Sequence, residues 1–250
     1  MEPLIVAALA AAGFAAGFVD AIAGGGGLLS LPALLAAGVP PHAALATNKV
    51  QSALGTTISA ARYLRHGYVH LPLAITAFAA SFAGSYMGAW TVLRLPSDFL
   101  AKVIPALIII VGVITFIRKN FGVTDRFTEA RIRHFLGVIL FASTLGFYDG
   151  FFGPGTGSFL AFGFVFFFRF GFVRATGNAK AANLASNYAA ITAFLFGGKI
   201  LWPTAVIMGI ANILGAWIGA GLTIRGGTKI IKPVFAFVLT GLLIKIIFFS

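Results

Sequence analysis

Asp20, Asp149, Lys49 and Lys180 are the residues of this sequence best able to do chemistry, because each falls in or at the end of a long apolar stretch. A charge in the middle of a membrane helix costs roughly 3 kcal/mol or more, so it is kept for a purpose. The remaining acids, Glu2, Asp98, Asp125 and Glu129, sit at the chain start or between apolar runs. A glycine-rich break follows each aspartate: Gly24, Gly25, Gly26 and Gly27 after Asp20, then Gly153, Pro154, Gly155, Thr156 and Gly157 after Asp149. A helix that begins after such a break presents unpaired backbone N–H groups and the positive end of its dipole. Asn48, Gln51 and Ser52 accompany Lys49, and Asn178, Asn183 and Asn187 accompany Lys180. Two helix N-termini, two lysines and these neutral hydrogen-bonding groups would together suit a small oxyanion. Asp20 and Asp149 would then be placed to take up protons coupled to its movement. A simpler reading stays open: each aspartate pairs with a lysine to hold two helices together, and the glycines only let helices approach.

Other chemistries find little support. There is no cysteine, hence no disulfide, thiol nucleophile or thiolate metal site. His66 and His70 are four apart but lie beside Arg62 and Arg65, with no carboxylate close in sequence, so an interfacial position is expected rather than a metal site. The glycine runs lack the strand–turn–helix setting of a nucleotide fingerprint. No catalytic residue, metal or cofactor is expected.

The elements that must position these residues are membrane helices. The chain of 250 residues is 59% hydrophobic and 10% charged, where soluble domains carry about 25% charged residues. Leu4–Val19, Leu71–Leu93, Val103–Ile117, Phe135–Tyr148, Trp202–Ile224 and Val234–Phe249 approach the roughly 20 residues that span a bilayer. Ala43–Ala61 and Ala175–Phe196 are more polar and carry the two lysines. The net charge of +12 falls mostly between these runs, which points to lipid headgroups rather than nucleic acid. Met1-Glu2-Pro3 provides no basic stretch ahead of the first run, so that run is expected to remain as a membrane helix.

The sequence also repeats itself. Gly17-Phe18-Val19-Asp20 returns as Gly146-Phe147-Tyr148-Asp149. Lys49 aligns with Lys180, Gly84 and Gly88 with Gly215 and Gly219, and Arg94 with Arg225, all in one register. The expected architecture is an all-α integral membrane protein of two homologous repeats. Each has about four full transmembrane helices plus one short broken or re-entrant helix. Residues 1–117 form the first repeat, 118–134 a basic linker and 135–250 the second. If the short segments Leu28–Ala37 and Ser158–Phe168 do not cross, lysine and arginine divide almost evenly between the two sides. If they cross, most of the positive charge gathers on one side, as membrane topology favours, and the repeats become inverted. The inverted arrangement is the expectation.

Residues Gly17 to Leu35, with their run of four glycines, and Leu45-Ala46-Thr47-Asn48-Lys49-Val50-Gln51-Ser52 closely resemble the TauE/SafE family of sulfite exporters. The resemblance covers nearly the whole chain, including Gly177-Asn178-Ala179-Lys180. It implies a transporter of the bacterial inner membrane, without nucleotide hydrolysis, whose small anionic substrate is sulfite or an organosulfonate. The halves differ in detail, with Pro154 where the first has Gly25 and Ala182 where it has Gln51. Three rivals stay open: transport of a cation or neutral solute, a non-transporting assembly protein, and an intramembrane enzyme.

Overall fold

The computed structural model describes residues 2–117, 124–227 and 229–230. The apolar run Val234–Phe249 and the first part of the linker, 118–123, lie outside the described residues. Among the described residues there are nine helices and no strand: α1 (Pro3–Ala23), α2 (Gly27–Ala36), α3 (Pro41–Arg65), α4 (Leu71–Leu93), α5 (Ser97–Ile117), α6 (Ile132–Phe151), α7 (Thr156–Phe168), α8 (Phe172–Phe196) and α9 (Trp202–Gly226). Of these, α1, α4, α6 and α9 are long and apolar enough to cross a membrane. Helices α3 and α8 have 25 residues each and are the more polar pair.

Local chemistry explains the boundaries. Proline opens α1, α3, α4 and α9 in the first turn, where its missing N–H costs nothing. The His70 ring accepts from Leu73 N and caps α4. Helix α1 ends where Gly24 takes φ 77°, and α7 begins after Gly155 at φ 85°. Both first helices run past their aspartates, to Ala23 and Phe151. Helix α6 starts at Ile132, so the last residues of the expected linker belong to its first turn.

Glycine sets the packing. A Cβ on Gly84 would collide with Ser143 O, on Gly88 with Phe147 O, on Gly146 with Ser81 O and on Gly150 with Ser85 O. Backbones of α4 and α6 therefore touch directly, as small residues permit in membrane helices. Gly13, Gly17, Gly215 and Gly219 do the same between α1 and α9, meeting Met208, Asn212, Phe14 and Phe18.

The order of these contacts gives helix directions. Partner numbers rise together along α4 and α6, and along α1 and α9, so each pair runs parallel. Helix α3 runs with α9, since Thr47 meets Leu201 and Arg62 meets Trp217. Helix α8 runs with α4, since Asn178 meets His70 and Ser186 meets Ser85. Helices α3 and α8 are opposed: Thr57 meets Tyr188 while Gly177 lies against Tyr63. Thus α1, α3 and α9 point one way and α4, α6 and α8 the other. Because α1 and α3 share a direction, the chain between them must return, and α2 makes that return. Ten residues of helix reach only about 15 Å. Helix α7, with 13 residues, does the same between α6 and α8.

The core follows from this arrangement. Helix α5 packs Leu100, Ile104, Ile108 and Val111 with Leu28, Leu31 and Leu34 of α2. The phenylalanine-rich stretch divides: Phe162, Phe164, Phe168, Phe170 and Phe172 are buried, while Phe166 and Phe167 are exposed.

Replacing Gly150 with alanine should cost about 1–3 kcal/mol, because the helices must part to admit the methyl group. Gly137→Ala, in the same helix, meets only the Phe168 ring among the described residues, at 3.7 Å, and should stabilise by about 1 kcal/mol. Thermal unfolding of the two variants in detergent checks the contrast.

Candidate functional site

The two glycine breaks meet each other. A Cβ on Gly24 would strike Gly157 and Ser158 N, and one on Gly27 would lie 3.1 Å from Pro154 Cα. Ser158 Oγ donates to Ala23 O at 2.9 Å and ties the start of α7 to the end of α1. The first turns of α2 and α7 therefore begin at one place, from opposite halves of the chain.

The charged residues cross between halves in the same way. Lys49 Nζ of α3 lies 2.9 Å from Asp149 Oδ1 of α6, and both side chains are 2% exposed. Lys180 Nζ of α8 lies 2.6 Å from Asp20 Oδ2 of α1, where Lys180 is 1% and Asp20 18% exposed. Lys180 Nζ also donates to Asp20 O. Ser186 Oγ donates to Asp149 Oδ2 at 2.5 Å, and Thr56 Oγ1 to Asp20 Oδ2 at 3.5 Å. Each aspartate thus has one lysine and one hydroxyl. Neither lysine pairs with the aspartate of its own half.

A cavity of about 20 Å³ lies between these pairs, with room for about one water. Asp20, Lys49 and Asp149 line it, with Gly25, Gly26 and Gly27 from the first break. Gly153, Gly155, Thr156 and Gly157 line it from the second. Asn48, Ser52, Asn183 and Asn187 complete the wall. Asn187 is 2% exposed, and its Nδ2 has no hydrogen-bond partner among the described residues. A buried amide donor left unpaired costs about 1–3 kcal/mol. This donor belongs to a side chain of the cavity wall.

Some expected residues are occupied elsewhere. Asn178 accepts from His70 N at 3.1 Å and donates to Arg174 O at 2.7 Å, so it fastens the loop before α4 to α8. Gln51 sits in a buried chain. Asn212 Nδ2 donates to Gln51 Oε1 at 2.6 Å, and Gln51 Nε2 to Asn48 Oδ1 at 2.9 Å. Ser30 Oγ also donates to Asn48 Oδ1, at 2.5 Å. Gly24 packs on Gly157 instead of lining the cavity. Lys180 acts on the wall through Asp20.

Ser30, Thr56, Ser186 and Asn212 join the site's hydrogen bonds without being expected from the sequence. Asn212 left a signal, as the one amide within the apolar run Trp202–Ile224. The hydroxyls left none, since serine and threonine are common in membrane helices. His66 Nδ1 faces Arg62 O at 2.8 Å, while His70 sits against the Phe127 and Phe170 rings. Partial burial, then the nearby Arg174 guanidinium, holds His70 below the usual histidine range.

Comparison with known proteins points the same way as the composition. The family model described as "Sulfite exporter TauE/SafE" matches residues 9–246. A "Probable membrane transporter protein ORF9" of Sinorhizobium sp is 39% identical over 243 residues, covering 97% of this chain and 92% of its own. The "Probable membrane transporter protein YfcA" of Escherichia coli strain K12 is 37% identical over 250 residues, with 100% and 92% covered. A "Probable membrane transporter protein" of Haemophilus influenzae is 40% identical over 230 residues, with 92% and 89% covered. No solved structure gives a significant match.

Lys49→Met leaves Asp149 buried with only the Ser186 hydroxyl as side-chain partner among the described residues and should cost roughly 3–5 kcal/mol. Lys49→Met combined with Asp149→Leu removes both charges and should recover most of that loss. Thermal unfolding of the single and double variants measures both effects.

Proposed function

Because the chain belongs to the sulfite exporter TauE/SafE family of multi-pass membrane transporters, we propose that it is a secondary transporter of a small anion. The substrate is sulfite or an organosulfonate, and the site is the cavity between the two glycine breaks. The observation that carries this reading is convergence. The first turns of α2 and α7, the Lys49 ammonium and the unpaired Asn187 amide all meet at one small space. Helix N-termini and buried N–H donors are the groups that hold oxyanions.

The charge balance suggests how protons enter. With both carboxylates ionised, Lys49 and Lys180 are each neutralised by an aspartate. A proton on Asp149 or Asp20 would release a lysine for the anion. Proton and anion would then load together, and the pair would re-form after release. A four-atom oxyanion needs more than the present 20 Å³, so loading requires the breaks to separate.

Opposed helix directions support an inverted arrangement of two units, 1–117 and 135–250, joined by the basic linker. Helices α1 and α6 carry matched aspartates and point opposite ways. Movement of one unit against the other would expose the site to each side in turn. The bacterial inner membrane is the proposed location, as the bacterial relatives and the positive charge between spans suggest.

A thermal-shift screen against sulfite, sulfate, thiosulfate, taurine, sulfoacetate and chloride tests the reading. The true substrate at 100 times its dissociation constant should stabilise the protein by about 2.7 kcal/mol. Asn187→Leu should be as stable as the parent or more so, because an unpaired donor is removed. It should bind that anion about tenfold more weakly, the worth of roughly 1.4 kcal/mol. No response to any anion, with a response to cations instead, would transfer the substrate role to the aspartates.

A further inference from the structure

The linker, the start of α6 and the end of α7 enclose a second, larger cavity that the transport reading does not use. Its volume is about 820 Å³. Its rim carries Arg126, Arg131, Arg133 and Arg169, against Glu129 as the one acid among the described lining residues. Its floor is apolar, formed by Gly137, Leu140, Phe141, Phe167 and Phe168. The groove follows α6 from Arg133 to Thr144, roughly 16 Å of helix.

Its setting is specific. Leu140 is 72% and Phe167 63% exposed, so the apolar part opens sideways onto the surface that faces lipid. The basic part lies at the ends of two helices. Arg169 closes α7 at φ 58°, a left-handed conformation found among the described residues at no other non-glycine position. Arg131 is the N-cap of α6, beside the positive end of its dipole. The linker is fastened there: Arg126 N donates to Arg169 O at 2.9 Å, and Asp125 pairs with Arg174 at 3.3 Å. Arg174 in turn lies over the Phe127 and Phe170 rings at 5.5 and 4.9 Å. The arginines are thus presented by ordered backbone at the mouth of an apolar groove.

We infer that this groove is a binding site for one anionic phospholipid. An acyl chain lies along α6 between Leu140, Phe141 and Phe167, and the phosphate sits among Arg126, Arg131, Arg133 and Arg169. Two chemistries coincide here: four cations for a phosphate, and a hydrocarbon-lined trough that starts beneath them and faces the bilayer. A free phosphate ion would use only the first, and a zwitterionic lipid would gain little from the excess charge. Because the groove joins the linker to both α6 and α7, its lipid would also hold the linker against the second unit.

The test is competitive lipid retention by the full chain in mixed micelles, read by native mass spectrometry. Phosphatidylglycerol and phosphatidylcholine with identical chains compete for binding. Inorganic phosphate is added in a separate arm. Each arginine beside an anionic headgroup is worth roughly fivefold in affinity, so phosphatidylglycerol should be retained by about tenfold or more over phosphatidylcholine. Arg126→Gln/Arg133→Gln should lower the ratio severalfold. Gly137→Leu leaves every charge in place and has room for its Cβ, yet fills the trough; it should lose the retained phosphatidylglycerol. Equal retention of the two lipids by the parent would overturn the proposal. So would displacement by inorganic phosphate, or undiminished retention in Gly137→Leu.

Discussion

Two lysine–aspartate pairs, each shared between the two halves of the chain, are the constraint on which the rest of the structure depends. Lys49 and Asp149 are almost wholly buried, and Lys180 reaches both the carboxylate and the backbone of Asp20. Charges so far from water are tolerable only when paired and hydrogen-bonded. That requirement ties α3 to the end of α6 and α8 to the end of α1 through the long lysine side chains. It also draws the two glycine breaks together, because each aspartate lies one turn before its break.

Close approach of backbones makes this geometry possible. The glycines of α4 with α6, and of α1 with α9, remove the side chains that would hold those helices apart. Parallel pairs then flank an opposed central pair, α3 and α8, which carries the lysines. The short helices α2 and α7 complete the plan by returning the chain, so that their first turns meet where the ion pairs are. A site made from both halves is well suited to a transporter, because relative movement of the halves must remodel it.

Much of this was readable from residues alone. Isolated charges in apolar runs marked Asp20, Asp149, Lys49 and Lys180, since the cost of burying a charge is independent of fold. The glycine breaks and the repeat located the short helices to within two residues. The choice of partner was not readable. Nothing local to Lys49 says that it pairs with Asp149 instead of Asp20: α3 packs on α1 of its own half, yet its lysine reaches across to the end of α6. For the same reason the sequence groups Asn178 and Gln51 with the substrate-binding amides, although the fold turns them to His70, Arg174, Asn48 and Asn212. Thr56 and Ser186 escaped notice because a hydroxyl in a membrane helix more often bonds its own backbone, as Thr57 and Thr91 do here.

The central claim is that proton uptake on an aspartate frees a lysine for the anion. Flux of the anion identified by binding, measured in proteoliposomes with and without an imposed pH gradient, tests it most directly. The parent should accumulate the anion when the gradient is present. Asp149→Asn should still exchange the anion across the membrane, but without response to the gradient. Gradient-driven accumulation that survives in Asp149→Asn and Asp20→Asn alike, or a parent indifferent to the gradient, would contradict the account and leave the ion pairs as structural clasps.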